Sequence, residues 1–149
     1  MKTVKEFVDL AIEKNYEVET LDGGIYSIDY PLNYNGVLRY QRVYVRDFFD
    51  EQTKKQSYFI NSYICDYTNY TSHIDLARVL REANFGKMTM ICFKTIPDGK
   101  GGEKEALYSQ TTIPCIYIND SYEEFMAIVY ETAANADYIE KIFHLQDLS

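Results

Sequence analysis

The segment "SYFINSYICDY" at residues 57–67 decides the fold, because it has the composition of a strand with large side chains on both faces. Successive side chains of a strand point to opposite sides of the sheet. One set consists of Tyr58, Ile60, Ser62 and Ile64, and the other of Phe59, Asn61, Tyr63, Cys65 and Tyr67. Neither set is polar throughout, so we expect helices to cover one face and a partner to cover the other.

Helices are predicted near both ends of the chain and in its middle. Thr3-Val4-Lys5-Glu6 has the form of a capping box, and apolar residues follow it at helical spacing. A second cap begins at Ser121 and precedes a long amphipathic series that continues to Phe143. The middle helix is predicted to start at Ser72, with Gly86 as a stop residue.

Strand-forming segments fill the intervals between these helices. Residues 26–32 alternate after a turn at 22–24, and Asn35-Gly36 favours a tight hairpin into a strand at 37–45. The loop at 50–56 leads into residues 57–67. Two further strands are predicted at 87–96 and 105–118, joined by a glycine-rich hairpin tip.

The resulting order is α-β(3)-α-β(2)-α, which predicts an α+β fold with an antiparallel sheet and its helices on one face. The chain of 149 residues fits a single domain, 1–149. This layout resembles the one shared by type III secretion chaperones and the YbjN-like bacterial proteins. The closing "SYEEFMAIVYETAANADYIEKIF" is also similar to the C-terminal helix of the YbjN-like group. The resemblance implies a small cytosolic dimer that binds proteins, and it transfers no catalytic residues.

Charge and composition narrow the classes of partner. The net charge of −8 disfavours phosphate backbones and anionic lipid surfaces, so we expect neither nucleic acid nor membrane as a partner. A basic or neutral protein partner is compatible with this charge, and a second copy of the chain is the other partner that we expect. The N-terminal segment lacks the uninterrupted apolar run of a secretory signal, and we expect a cytoplasmic protein. Three widely spaced cysteines then favour buried, reduced thiols.

No residue pattern indicates catalysis, a cofactor or a metal. His73 and His144 are isolated from any nucleophile or second ligand in the sequence. Residues 98–104, "DGKGGEK", lack the Ser or Thr and the following helix of a phosphate loop, and they favour a hairpin tip. The carboxylates of "DFFDE" at 47–51 lack the ligand spacing of a calcium loop. We therefore expect a protein without enzymatic activity.

The strongest candidate site is a face of the strand at 37–45 and its continuation. Tyr40, Arg42, Tyr44 and Arg46 share that face, a mixture that protein-binding hot spots prefer. The alternatives are a solvent face with tyrosine neighbours from Tyr26/Tyr30 and Tyr63/Tyr67, and a base-stacking surface. The predicted partner-binding residues are Tyr40, Arg42, Tyr44, Tyr63 and Tyr67.

Three functions follow from these observations. The favoured one is a noncatalytic, dimeric module that binds another protein in a chaperone-like or regulatory role. A small-molecule-binding or enzymatic domain with an aromatic pocket is the second, since tyrosine-rich sheets can line a cavity. An acidic inhibitor that occupies a basic surface of a host factor is the third, and only the net charge supports it.

Overall fold

The computed structural model describes residues 1–67, 80–81, 83–84 and 86–147, with side chains described up to residue 142. Six antiparallel strands form one sheet in the order β1-β2-β3-β4-β6-β5. The strands are β1 (Glu17–Thr20), β2 (Tyr26–Tyr34), β3 (Val37–Asp50), β4 (Lys55–Asp66), β5 (Met90–Pro97) and β6 (Glu103–Pro114). The predicted antiparallel α+β fold is confirmed, and the short edge strand β1 is an addition to the predicted elements.

The described helices are α1 (Val4–Glu13), α2 (Cys115–Ile118) and α3 (Tyr122–Asp147). The predicted capping box is present at the start of α1, where Thr3 Oγ1 accepts from the Glu6 N–H at 3.3 Å and the Glu6 carboxylate accepts from the Thr3 N–H at 3.0 Å. None of the described helices combines the length and apolar character that crossing a membrane requires.

The predicted middle helix lies mostly outside the described residues. Positions 80, 81, 83 and 84 are helical, whereas its predicted start at Ser72 is not described. His73 and the side chain of His144 also lie outside the described part of the chain.

Both long helices pack on the same face of the sheet. At the centre of this core, the Phe7 ring of α1 stacks on the Phe125 ring of α3 with 4.4 Å between centroids. Tyr58 of β4 meets both rings edge-on and donates its hydroxyl to the Lys2 carbonyl at 2.6 Å. The set Tyr58, Ile60, Ser62 and Ile64 is buried on this helix-covered face, as its apolar content predicts.

The strand predicted at 105–118 is too long, because its last four residues form the helix α2. Pro114 ends the pairing of β6 with β4 opposite Ser57, and proline has no N–H with which to continue a ladder. One helical turn then buries Cys115 and Ile118 while exposing Ile116 and Tyr117. The i,i+3 spacing of the two buried residues is the helical feature that the β-rich composition of the segment concealed.

A β-bulge divides the second set of residues 57–67 between the two faces. Tyr63 lies opposite Tyr108 and Cys65 lies opposite Leu107, so the bulged strand carries one extra residue. After the bulge, Cys65 packs with Leu107 on the helix-covered face, and Tyr67 contacts the ring of Phe93. The prediction that all five residues of this set share one face is therefore wrong beyond Tyr63.

Candidate functional site

The sheet face opposite the helices is the candidate site, and we call it the open face. Among the described residues, α1 and α3 pack only into the core on the other side. Four strands contribute rings and cations to the open face, together with two amides and a thiol: Tyr40, Arg42, Tyr44, Arg46, Phe48, Phe59, Asn61, Tyr63, Tyr108, Gln110, Cys92 and Lys94.

Two cations share the ring of Phe59 at the centre of the open face. The guanidinium of Arg46, opposite Phe59 in the register, lies 4.8 Å from the ring centroid. Nζ of Lys94 also lies 4.8 Å from that centroid, and it is 4.8 Å from the Tyr108 ring. Aromatic faces attract cations, so Phe59 holds both charges close together. We call Arg46, Phe59 and Lys94 the cation cluster.

The contact of Lys94 with Phe59 shows that the open face is strongly bent. Lys94 pairs with Ala106 on β6, whereas Phe59 pairs with Thr112, six positions further along that strand. A flat sheet would hold their side chains far apart, given a rise of about 3.3 Å per residue. Twist of the sheet between β4 and β5 therefore brings these two side chains together.

The cations of the cluster are not neutralised by carboxylates of the described residues. The ion pairs within the described part of the chain include neither Arg46 nor Lys94. Burial lowers the pKa of Lys94, and the positive charge of Arg46 lowers it further. A partly buried ammonium beside a second cation is unfavourable, and an incoming anion would relieve that cost.

A pocket of about 240 Å³ adjoins the cation cluster. Its lining is Leu21, Ile25, Tyr44, Val45, Arg46, Phe59 and Asn61. The short 3₁₀ turn Asp22–Gly24 positions the apolar wall, since the Leu21 N–H donates to the Ile25 carbonyl at 2.8 Å. Gly23 has a φ of 75° in this turn, a conformation that glycine adopts without steric cost. The pocket thus combines apolar side chains with a cation, an amide and a phenol.

Of the residues predicted from sequence, Tyr44 lines this pocket and Tyr63 lies beside it on the open face. The Tyr63 ring meets Tyr108 edge-on at 5.6 Å, and its hydroxyl donates to Asp66 at 2.6 Å. Burial raises the pKa of Tyr63, and the bond to Asp66 raises it further. This hydroxyl is therefore a fixed hydrogen-bond donor at neutral pH.

Other predicted residues stand apart from the pocket. Arg42 is on the open face but is occupied by Asp29 at 3.0 Å and Glu19 at 3.9 Å. The hydrogen bond to Asp29 is the main cause of the raised Arg42 pKa. Tyr40 is 60% exposed, opposite Pro31. Tyr67 follows the bulge and contacts Phe93, which pairs with the buried Leu107. Tyr67 therefore lies on the helix-covered face, away from the pocket.

The tyrosine neighbours predicted for this surface are also partly wrong. Tyr26 and Tyr30 pack against the core on the helix-covered face, because they share the phase of the buried Ile28 and Leu32. The residues opposite Tyr44 are Ser27 on β2 and Asn61 on β4, and neither is a tyrosine. Cross-strand ring pairing on the open face is instead made by Tyr63 with Tyr108 and by Phe48 with Phe59.

Sequence reasoning missed Lys94, Asn61 and the wall formed by Leu21 and Ile25. The sequence does contain an indication of the role of Lys94, because Lys94 is the single charged residue of β5. No sequence signal identified the wall, since its position over the sheet depends on the turn geometry. Within the described residues, no group of three or more His, Cys, Asp and Glu side chains is placed to hold a metal ion.

These features define a class of protein: an α+β domain whose open sheet face presents aromatic rings, a small pocket and two cations that form no ion pair with the described residues. Comparison of the chain with protein-family models, with curated proteins and with solved structures found no match. What the site can bind therefore follows from its own side chains, which suit noncovalent recognition of an anionic group next to an apolar one.

Proposed function

We propose that this chain is a noncatalytic protein-binding module, chaperone-like or regulatory, that acts in the cytoplasm and binds its partner on the open face. The observation that carries the proposal is a half-buried aromatic surface with cations, over which no described helix packs. Aromatic residues and arginine are enriched in the energetic centres of protein interfaces, where they combine large contact area with polar contacts.

A protein suits this surface better than a nucleic acid does. The chain carries a net charge of −8, and Arg42, another cation of the open face, is already held by two carboxylates. A polyphosphate backbone requires several cations along its path, because neutralisation of phosphates supplies most of its affinity. Two cations that have no ion pair within the described part of the chain favour a partner with one or two carboxylates.

A small-molecule-binding domain is the second candidate, and the pocket beside Tyr44 favours it. Its volume of about 240 Å³ is below the roughly 300–1,000 Å³ that is usual for pockets of drug-sized ligands. The space between sheet and helices is filled by Phe7, Tyr58 and Phe125. A pocket of this size on an aromatic surface suits one anchoring side chain of a protein partner.

We also propose self-association, in line with the layout that resembles the secretion chaperones and YbjN-like proteins. The described surface best suited to it is the end of the β2–β3 hairpin, where Val37 is 62% and Leu38 is 53% exposed. Exposed aliphatic side chains are unfavourable in water. A second copy that packs around the hairpin end would cover Val37 on the helix-covered side of the sheet and Leu38 on the open-face side.

Site-specific photo-crosslinking tests binding on the open face. A p-benzoylphenylalanine placed at Tyr63 reports on the open face, and the same residue at Ile12, exposed on α1, is the matched control. After irradiation in native cells, we expect one predominant protein adduct at position 63 that position 12 does not give. Absence of an adduct at position 63, or equal adducts at both positions, would contradict the proposal.

A further inference from the structure

We infer that the open face recognises a short acidic peptide segment, in which an apolar side chain enters the pocket and a neighbouring carboxylate binds between Arg46 and Lys94. The inference rests on the proposed function and names the chemistry of the partner. It adds Lys94, Arg46 and Phe59 as the residues that determine specificity.

Charge complementarity supports the carboxylate. Arg46 and Lys94 converge on one ring, and the carboxylates of the described residues leave both without an ion pair. A carboxylate placed between them would accept charge-assisted hydrogen bonds, which are stronger than neutral ones. The guanidinium can engage both oxygens, while the ammonium acts as a point charge.

Shape and polarity support a peptide as the source of that carboxylate. Leu21 and Ile25 wall the pocket with apolar surface, directly beside the cation Arg46. Asn61 lines the same pocket, and its cross-strand neighbour Gln110 has a buried Oε1 that accepts no hydrogen bond from the described residues. A peptide supplies the backbone N–H and C=O groups that such amides bind, together with the apolar side chain.

A second copy of this chain is a poorer occupant of the open face. A two-fold symmetric contact centred on the cation cluster would bring the clusters of both copies against each other. Like charges brought together at an interface are unfavourable.

The test is an NMR titration of isotope-labelled protein with a matched pair of tripeptides. The acidic probe is acetyl-Glu-Leu-Glu-amide, and the uncharged control is acetyl-Gln-Leu-Gln-amide. We expect saturable shifts at the Asn61 side-chain amide and the Ile25 backbone amide with the acidic probe, and at least about fivefold weaker binding of the control.

Three single-residue variants test which positive charges bind the acidic probe. Arg46→Gln and Lys94→Gln should each weaken binding of the acidic probe about fivefold. Lys5→Gln removes the same charge from the exposed side of α1 and should change the affinity by less than twofold. The spectrum of each variant shows directly whether its fold is retained, and the salt dependence of wild-type binding gives a second measure that needs no variant.

Equal binding of both tripeptides, shifts confined to other surfaces, or the absence of any shift would overturn the acidic ligand class. An adduct at position 63 whose yield is unchanged by Arg46→Gln and Lys94→Gln would leave the protein-binding proposal standing while removing this inference. Absence of the adduct at position 63 in the chain that retains Arg46 and Lys94 would instead remove the proposed function itself.

Discussion

At the scale of single residues, Lys94 is placed where a cation is unfavourable for folding. Its ammonium is partly buried beside Arg46, and burial is the main cause of its lowered pKa. Two aromatic rings at 4.8 Å offset part of this cost, each by about 0.5–2 kcal/mol. A binding site for anions requires a positive charge that is not already paired. Lys94 supplies one, since it has no carboxylate partner among the described residues.

Lys94→Met should therefore retain or increase stability while weakening binding of an acidic peptide. The methionine keeps the hydrophobic contact with Phe59 and Tyr108 and removes the desolvated charge. We expect the free energy of unfolding in urea to change by between 0 and about +1 kcal/mol. A loss of more than about 1 kcal/mol would show that the two ring contacts outweigh the burial cost, and Lys94 would then be a structural residue.

At the scale of elements, α3 is tied to the β2–β3 hairpin by a buried carboxylate. Asp137 has a side chain that is 2% exposed, and it lies 3.1 Å from Arg39 on β3 and 3.5 Å from Lys141 on its own helix. Lys141 Nζ also lies 3.3 Å from the centroid of the Tyr34 ring. Because these contacts join the hairpin to the helix, they hold the end of the sheet on its helical layer.

A double-mutant cycle should show that this pair couples the two elements. We expect Arg39→Met and Asp137→Asn to have a coupling energy of about 1–3 kcal/mol in urea unfolding, since one partner is buried and the other is partly exposed. The exposed pair Lys5–Asp9 on α1, changed to Met and Asn, is the control and should couple by at most about 0.5 kcal/mol. Equal coupling in both cycles would mean that burial of Asp137 adds nothing.

Elements set by local chemistry were predictable from the sequence. The capping box at Thr3 and Glu6 and the Asn35-Gly36 turn, with φ of 53° and 84°, depend on neighbouring residues only. The bulge after Tyr63 was not predictable, because nothing in the sequence marks the position at which the extra residue breaks the alternation of side chains. The same reason explains why Tyr67 was assigned to the wrong face.

The candidate site was only partly predictable, for a related reason. Tyr44 and Arg46 follow from the alternation along β3, which residues of one strand establish. Lys94 reaches Phe59 from a strand that is not adjacent to β4, and the pocket wall comes from the turn after β1. Both contacts depend on sheet twist and turn geometry over long sequence separations, which no local pattern encodes.

At the scale of the whole molecule, the net charge and the exposed apolar surface have opposite effects on self-association. The net charge of −8 keeps copies of the chain apart at low salt, whereas the hairpin end with Val37 and Leu38 favours their association. The cation cluster lies on the open face, and its positive charges suit a different partner, the acidic peptide. We therefore expect self-association at the hairpin end and partner binding at the cation cluster, which are different parts of the sheet.

Sedimentation equilibrium should show a dimer whose stability increases with salt, because screening weakens the repulsion between two acidic copies. Leu38→Glu places a charge in the proposed contact and should give a monomer with an unchanged fold, since this side chain is 53% exposed. Ile12→Glu, at 52% exposure on α1, is the matched control and should remain dimeric. A monomeric wild type at all salt concentrations would show that the predicted homodimer is wrong, and dissociation by Ile12→Glu alone would place its interface on α1.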